Sequence, residues 1–278
     1  MDLEKLFILR HWEIVLVLGI VVYFIGRLFG NKRGNKDKRR IEKDVVNEED
    51  GDDVGLTPSL ENIQHIKFTG AKVILKGGAD EFFNMVNDRR SVRKFSKKPV
   101  DIDVVKKCIE SAGTAPSGAH TEPWTFCLIK SDDIKLQIRE LIENEEYTNY
   151  AQRMSKQWTT DLKPLKTNHI KEYLTDAPYI ILVFKQTYGL RTDGDKKVHY
   201  YNEVSCAISV GVLLCALQSA GLSSLTTTPL NCGPALRFLL NRPQNEKLMV
   251  VLPVGYPGHD CEIPDLQRKP LKDILEVY

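Results

Sequence analysis

The chain has 278 residues, 42% of them hydrophobic, with a formal net charge of +2. That length and apolar content allow one sizeable core or two domains, and the near-neutral balance excludes the overall electrostatic footprint of a nucleic-acid-binding protein. The six cysteines, Cys108, Cys127, Cys206, Cys215, Cys232 and Cys261, form no CxxC pair and sit mostly in apolar runs, which reads as reduced thiols facing the cytosol rather than a disulfide framework.

Residues 14–25 (IVLVLGIVVYFI) are unbroken apolar, and the stretch from Trp12 to Phe29 has the length of a bilayer span. Glu13 and Arg27 lie at its ends, and Trp12 and Tyr23 suit the interface. A cleaved signal peptide fits poorly, because the basic cluster (Lys32, Arg33, Lys36, Lys38, Arg39, Arg40, Lys43) follows the apolar run and no small-residue cleavage site appears. A buried core helix fits poorly beside so charged a segment. The reading is a single-pass membrane anchor over residues 1–30, with the basic flank, and hence the rest of the chain, in the cytosol. Residues 31–60 change from basic to acidic and carry few large apolar side chains, so they read as a charged linker. The folded domain is expected over residues 61–278.

Within that domain Ala79–Asn87 has helical spacing of Phe82, Phe83 and Val86. Asp101 or Asp103 caps the next helix, whose apolar face is Val104, Val105, Cys108, Ile109 and Ala112, before Gly113. The loop TAPSGAHTEP follows, then a strand over Trp124–Ile129. A long polar helix runs from Asp132 to about Trp158, with a break near Thr148. Tyr179–Phe184 is a buried strand, Glu203–Ala220 a central helix apolar nearly all round, Leu222–Thr227 a short strand, Pro234–Leu240 a short helix and Lys247–Val254 the last core strand. Strands separated by helices give an α/β or α+β domain.

Four features carry chemistry. Arg89, Arg90, Ser91, Val92, Arg93 and Lys94 put four cations and a hydroxyl just after a helix, a pattern suited to a phosphate dianion, although such clusters also occur merely solvated. The small residues of the loop from Thr114 to Trp124 let backbone approach a flat ligand, or form an ordinary connection. Thr226, Thr227 and Thr228 place hydroxyls at a strand end, where threonine is also simply common. The segments Glu143–Tyr150 and His169–Tyr173 carry acidic, aromatic and basic groups that suit a small zwitterion or a solvated helix face. GxGxxG after a strand, GxxxxGK[ST], HExxH, GxSxG and metal-ligand histidine spacing are all absent, so a cofactor must carry the hard step and no metal site is expected.

These pieces, in this order, resemble the nitroreductase superfamily of FMN proteins, and most nearly its iodotyrosine-dehalogenating branch. APSGAHTEPWTF, NEEYTNYAQRM, KEYLTDAP and LTTTPLNCGPALR carry the resemblance, which spans about Phe68 to Tyr278. It implies an α+β fold with a central, mostly antiparallel sheet flanked by helices, in a domain-swapped homodimer whose two FMN sites draw on both chains. It implies that Arg89, Arg90, Ser91, Val92, Arg93 and Arg268 bind the FMN phosphate and ribityl chain. Pro116 and Ser117 would contact the flavin, and Thr226, Thr227 and Thr228 would border its ring, with the Thr228 hydroxyl near N5. Ala119 would offer its N–H to a substrate phenolate, and Glu146, Tyr150 and Lys171 would clamp an amino-acid zwitterion. Ala119 and Thr228 are thus the expected catalytic groups. The implied activity is reductive dehalogenation of iodinated tyrosines, with bromo- and chlorotyrosine fitting the same clamp and electrons ultimately from NADPH through a separate reductase. A broad nitro- or quinone reductase and a non-catalytic binding protein are the alternatives, and the Glu–Tyr–Lys clamp is what separates them.

Overall fold

The computed structural model describes residues 64–65, 67–68, 70, 75–191 and 194–278, all within the unit Pro58–Tyr278. The anchor and linker expected over residues 1–60 lie outside the described residues. Helix α1 is Gly78–Asn87 and α2 is Ile102–Gly113; Asp101 caps α2 by accepting from the Asp103 N–H at 2.9 Å. Strand β1 is Trp124–Ile129, and α3 is Asp132–Thr148, capped by Ser131. The break near Thr148 is present. A π turn over Asn149–Arg153 ends in extended Met154, and Ser155 caps a new helix, α4, at Lys156–Leu162. Then come α5 (Tyr173–Asp176), β2 (Tyr179–Gln186), the hairpin β3 (Tyr188–Leu190) and β4 (Lys196–Val198), and α6 (Asn202–Ser219). Strand β5 (Ser223–Ser224), α7 (Gly233–Leu239) and β6 (Glu246–Gly255) complete the domain.

The main sheet has four strands in the order β1-β2-β6-β5, every neighbour antiparallel. Strand β2 is central and buried on both sides, which explains its unbroken run YIILVF. Ile180, Leu182 and Phe184 pack one way with Ile138 and Ile142 of α3, Leu174 of α5 and Leu236 of α7. Tyr179, Ile181 and Val183 pack the other way with Val105, Cys108 and Ala112 of α2 and Cys206, Leu213 and Leu217 of α6. Each of these large side chains contributes roughly 1.5–3 kcal/mol by leaving water. An α+β domain with an antiparallel sheet between helices is therefore what the chain forms.

The strand expected over Leu222–Thr227 is shorter than the sequence suggested. Opposite Leu225 stands Pro253, which has no N–H to give, so the ladder stops at Ser224. Leu225 keeps one bond, from its N–H to the Pro253 carbonyl at 3.4 Å, and the two-way exchange resumes at Thr227, with Val251 at 3.0 and 2.9 Å. Among the described residues one helix, Asn202–Ser219, is long and apolar enough to cross a bilayer. It is α6, and its Cys206, Val210, Leu213 and Leu217 belong to the core.

Candidate active site

The segment after α1 runs extended because Ser91 bridges Ser224, Val92 donates its N–H to the Ser224 carbonyl at 3.1 Å, and Val92 and Phe95 bury their side chains. That pinning leaves Arg89, Arg90, Ser91 and Arg93 around a cavity of about 340 Å³, closed on its far side by Ile263, Leu266 and Arg268. Arg268 comes from the far end of the chain. It is held by bonds to the carbonyl and side-chain oxygen of Asn87 at 2.9 and 3.1 Å and to the Arg89 carbonyl at 2.9 Å. Arg90 bonds the carbonyls of Asn87 and Arg89. Carbonyls orient these guanidiniums without neutralising them, and among the described residues none of Arg89, Arg90, Arg93 and Arg268 pairs with a carboxylate. Such a concentration of uncompensated cations is an anion site. Val92 was expected among the ligand-binding residues. Its side chain instead faces the core and lines no part of the cavity, and its N–H is spent on the Ser224 carbonyl.

Arg93 also lines a second cavity, of about 190 Å³, with Glu146, Tyr150, Lys171, Tyr173 and the threonines Thr226, Thr227 and Thr228. Met154, Trp158 and Leu162 form its apolar rim. Glu146 lies one turn before Tyr150, so both fall on one face where α3 passes into the π turn. Lys171 is 4% exposed and Glu146 9%, and the Lys171 ammonium stands 3.4 Å from the Glu146 carboxylate and 5.4 Å from the centre of the Tyr150 ring. The Lys171 backbone N–H donates to Glu143 at 2.6 Å, which in turn accepts from Arg139 at 2.7 Å. Burial lowers the Lys171 pKa from its ordinary value, with the Glu146 carboxylate opposing the shift. Burial likewise raises the phenols of Tyr150 and Tyr173, which stay protonated through neutral pH.

Pro116, Ser117 and Ala119 line neither cavity. Their loop is tightly built: the Ser117 hydroxyl accepts the Glu122 N–H at 3.0 Å, and Thr121 donates to the Gly118 carbonyl at 3.0 Å. A side chain at Gly118 would stand 2.8 Å from the Tyr200 carbonyl. Ala119, His120 and Glu122 all have left-handed φ, at 48°, 50° and 47°. Non-glycine residues hold that conformation only under constraint, and such clusters mark functional loops. The N–H groups of His120 and Thr121 are spent inside the loop, on Ser117 and Gly118, and that of Ala119 is not among these bonds.

The structure thus places eleven of the expected site residues around two cavities that share Arg93 in their walls, and leaves Pro116, Ser117 and Ala119 apart. Sequence reasoning missed Met154, Trp158 and Leu162 as lining residues; Tyr173 and the fully buried Asn149 fall within the two polar segments it named but were not singled out. The amphipathic spacing of Trp158 and Leu162 was legible; a buried asparagine in so polar a stretch was not.

Residues 86–256 match the Nitroreductase family. An iodotyrosine deiodinase of Drosophila melanogaster is 50% identical over the whole of both chains. Iodotyrosine deiodinase 1 of Homo sapiens is 54% identical over 232 residues, covering 82% of this chain and 79% of that one. A crystal structure of oxidized iodotyrosine deiodinase bound to FMN and 3-iodo-L-tyrosine superposes with a TM-score of 0.61 and 29% identity, covering 68% of this chain and 96% of that one.

Proposed function

This chain belongs to the nitroreductase family and, within it, to the iodotyrosine deiodinases, and from that premise we propose an FMN-dependent reductive removal of iodide from iodinated tyrosines. The observation that carries the reading is a buried carboxylate–ammonium pair, Glu146 and Lys171, opening with Tyr150 and Thr226–Thr228 into one cavity that shares Arg93 with the arginine-lined cavity.

The arginine-lined cavity fits the phosphate end of FMN, since among the described residues its four guanidiniums have no carboxylate partner and the Ser91 hydroxyl adds a neutral donor. Arg89, Arg90, Ser91, Arg93 and Arg268 would hold the phosphate and ribityl chain, and Thr226, Thr227 and Thr228 the ring edge, with the Thr228 hydroxyl as donor. When bound, FMN supplies the two electrons that, with a proton, replace a carbon–iodine bond by carbon–hydrogen and release iodide.

The protein's own part is selection and placement. With the clamp empty, Lys171 and Glu146 neutralise one another. A substrate zwitterion exchanges both partners at once: its carboxylate takes Lys171 and its ammonium takes Glu146. A ligand with only one of those charges strands a buried partner, a cost of roughly 3–5 kcal/mol. Halophenols lacking the amino-acid group should therefore bind at least about 100-fold more weakly. Trp158, Leu162 and Met154 stand where closing over the substrate would exclude water.

Pro116, Ser117 and Ala119 complete this site from a second copy of the chain. The Ala119 N–H is aimed at the substrate phenolate, which it stabilises as charge develops. Supporting the homodimer, α6 exposes an apolar stripe, with Val204 57% and Ile208 43% exposed. Residues 1–30, by their apolar run and basic flank, anchor the protein in a membrane with the enzyme domain in the cytosol. An NADPH-dependent reductase is the natural electron donor, and bromo- and chlorotyrosine satisfy the same clamp. The direct test is iodide release from 3-iodotyrosine by the FMN-loaded, chemically reduced protein. No release at full FMN occupancy defeats the proposal, and rapid nitroaromatic turnover without iodotyrosine binding would point to a general nitroreductase.

A further inference from the structure

Asn149 lies directly behind the clamp, at the first position of the π turn, and is fully buried. Its amide nitrogen donates to the Glu146 carboxylate at 3.2 Å and to the Leu230 carbonyl at 3.3 Å. Its amide oxygen accepts from Arg153 at 3.0 Å and from the Asn231 side chain at 3.4 Å. The orientation of the amide is fixed by its neighbours, because a carboxylate and a carbonyl can only accept and a guanidinium can only donate. All four hydrogen-bonding capacities of one side chain are therefore spent between two elements.

Those two elements are the two halves of the proposed chemistry. Glu146 belongs to the zwitterion clamp. Leu230 and Asn231 follow Thr228 with only Pro229 between, and proline's fixed φ leaves little slack in that link. The bonds from Asn149 thus link the Glu146 carboxylate to the backbone two residues after Thr228. The bond between Asn149 and Glu146 is buried, so losing it leaves an amide group without a partner.

Resting on the function proposed above, we propose that Asn149 is a positioning residue that couples occupation of the amino-acid clamp to the placement of the Thr228 hydroxyl. The reaction would then be tuned by the presence of a zwitterion, rather than simply fed by it. Asn149 touches no reacting atom in this scheme and acts through Glu146 and the Thr228 segment.

The test compares the FMN-loaded full chain with its Asn149→Leu variant, which keeps a similar branched shape, adds no charge beside Glu146 and removes both donated bonds. 3-Iodotyrosine is the probe, with ligand-induced change in visible flavin absorption and iodide release as readouts. The expected result is FMN content as in the parent, affinity for 3-iodotyrosine at least about tenfold lower, and, at saturating 3-iodotyrosine, turnover still about tenfold lower with the absorption change lost. Recovery of both the turnover and the absorption change at saturation overturns the proposal, because Asn149 then serves the clamp alone. Should that variant fail to take up FMN, Asn149→Ser replaces it, because the shorter side chain cannot span both the Glu146 carboxylate and the Leu230 carbonyl; the same two effects are expected, and their absence overturns the coupling. Failure of the unsubstituted protein to bind 3-iodotyrosine strikes the functional reading itself, and this inference with it.

Discussion

Lys171 is the residue to which the proposed function assigns substrate choice. It is buried, it faces Glu146 at 3.4 Å, and burial lowers its pKa from the ordinary lysine value. A depressed lysine loses its proton, and its hold on a carboxylate, as pH rises through that lowered value. The kcat/KM for 3-iodotyrosine should then fall on an alkaline limb below pH 10.5, the ordinary lysine value. In Lys171→Arg the cation persists, and that limb should move to higher pH; an unmoved limb assigns it to the substrate ammonium instead. Lys171→Ala should raise KM for 3-iodotyrosine by about 100-fold or more, with a far smaller effect on nitroaromatic reduction, measured side by side. The pairing of Glu146 and Tyr150 one turn apart was legible in the sequence because helical period alone puts them on one face. The partner role of Asn149 was not, because nothing local distinguishes a buried asparagine from a solvated one.

Among the elements, β6 and the turn before it do most to hold the sheet edge against the site. Glu246 opens β6 almost fully buried, accepting two bonds from Arg242 at 2.8 Å and one from Thr125 of β1 at 2.7 Å. Burial pushes its pKa upward, but Arg242 and Thr125 outweigh this and hold it below the ordinary glutamate value. A depressed carboxylate gives stability that is present above its unfolded value, 4.5, and is lost as pH falls through the folded value. Glu246→Gln should cost about 1–3 kcal/mol at pH 7, and thermal melts should show the gap narrowing below pH 4.5. An equal gap at pH 7 and in acid would mean that the ionised pair is not what stabilises this edge. The strand β2 was readable because a run buried on both faces is apolar without alternation. The shortening of β5 was not, because it depends on Pro253 of another strand standing opposite Leu225.

For the molecule as a whole, the decisive fact is that the expected site residues are divided. Eleven gather around two cavities that share Arg93, while the strained loop bearing Ala119 stands apart, beside Tyr200 and the start of α6. The outer positions of α6, Val204, Ala207, Ile208 and Gly211, recur at helical spacing and are all exposed. If a second copy covers that stripe and lends its loop to the site, Val204→Glu with Ile208→Glu should yield a monomer that also loses FMN, read by light scattering and by flavin absorbance. A monomer retaining FMN and full turnover would show that one chain suffices.

The sequence by itself determined the domain's fold class and its flavin-enzyme family, because helical and strand periods, helix caps and long specific motifs are all local along the chain. The structure decided what locality cannot express. It joined Arg268 to Arg89 across a sequence separation of 179, turned Val92 into the core, ended β5 at Ser224, and placed Asn149 between Glu146 and the segment after the threonines. Each of these depends on a partner distant in sequence, and such partners are chosen only when the two faces of the sheet are packed.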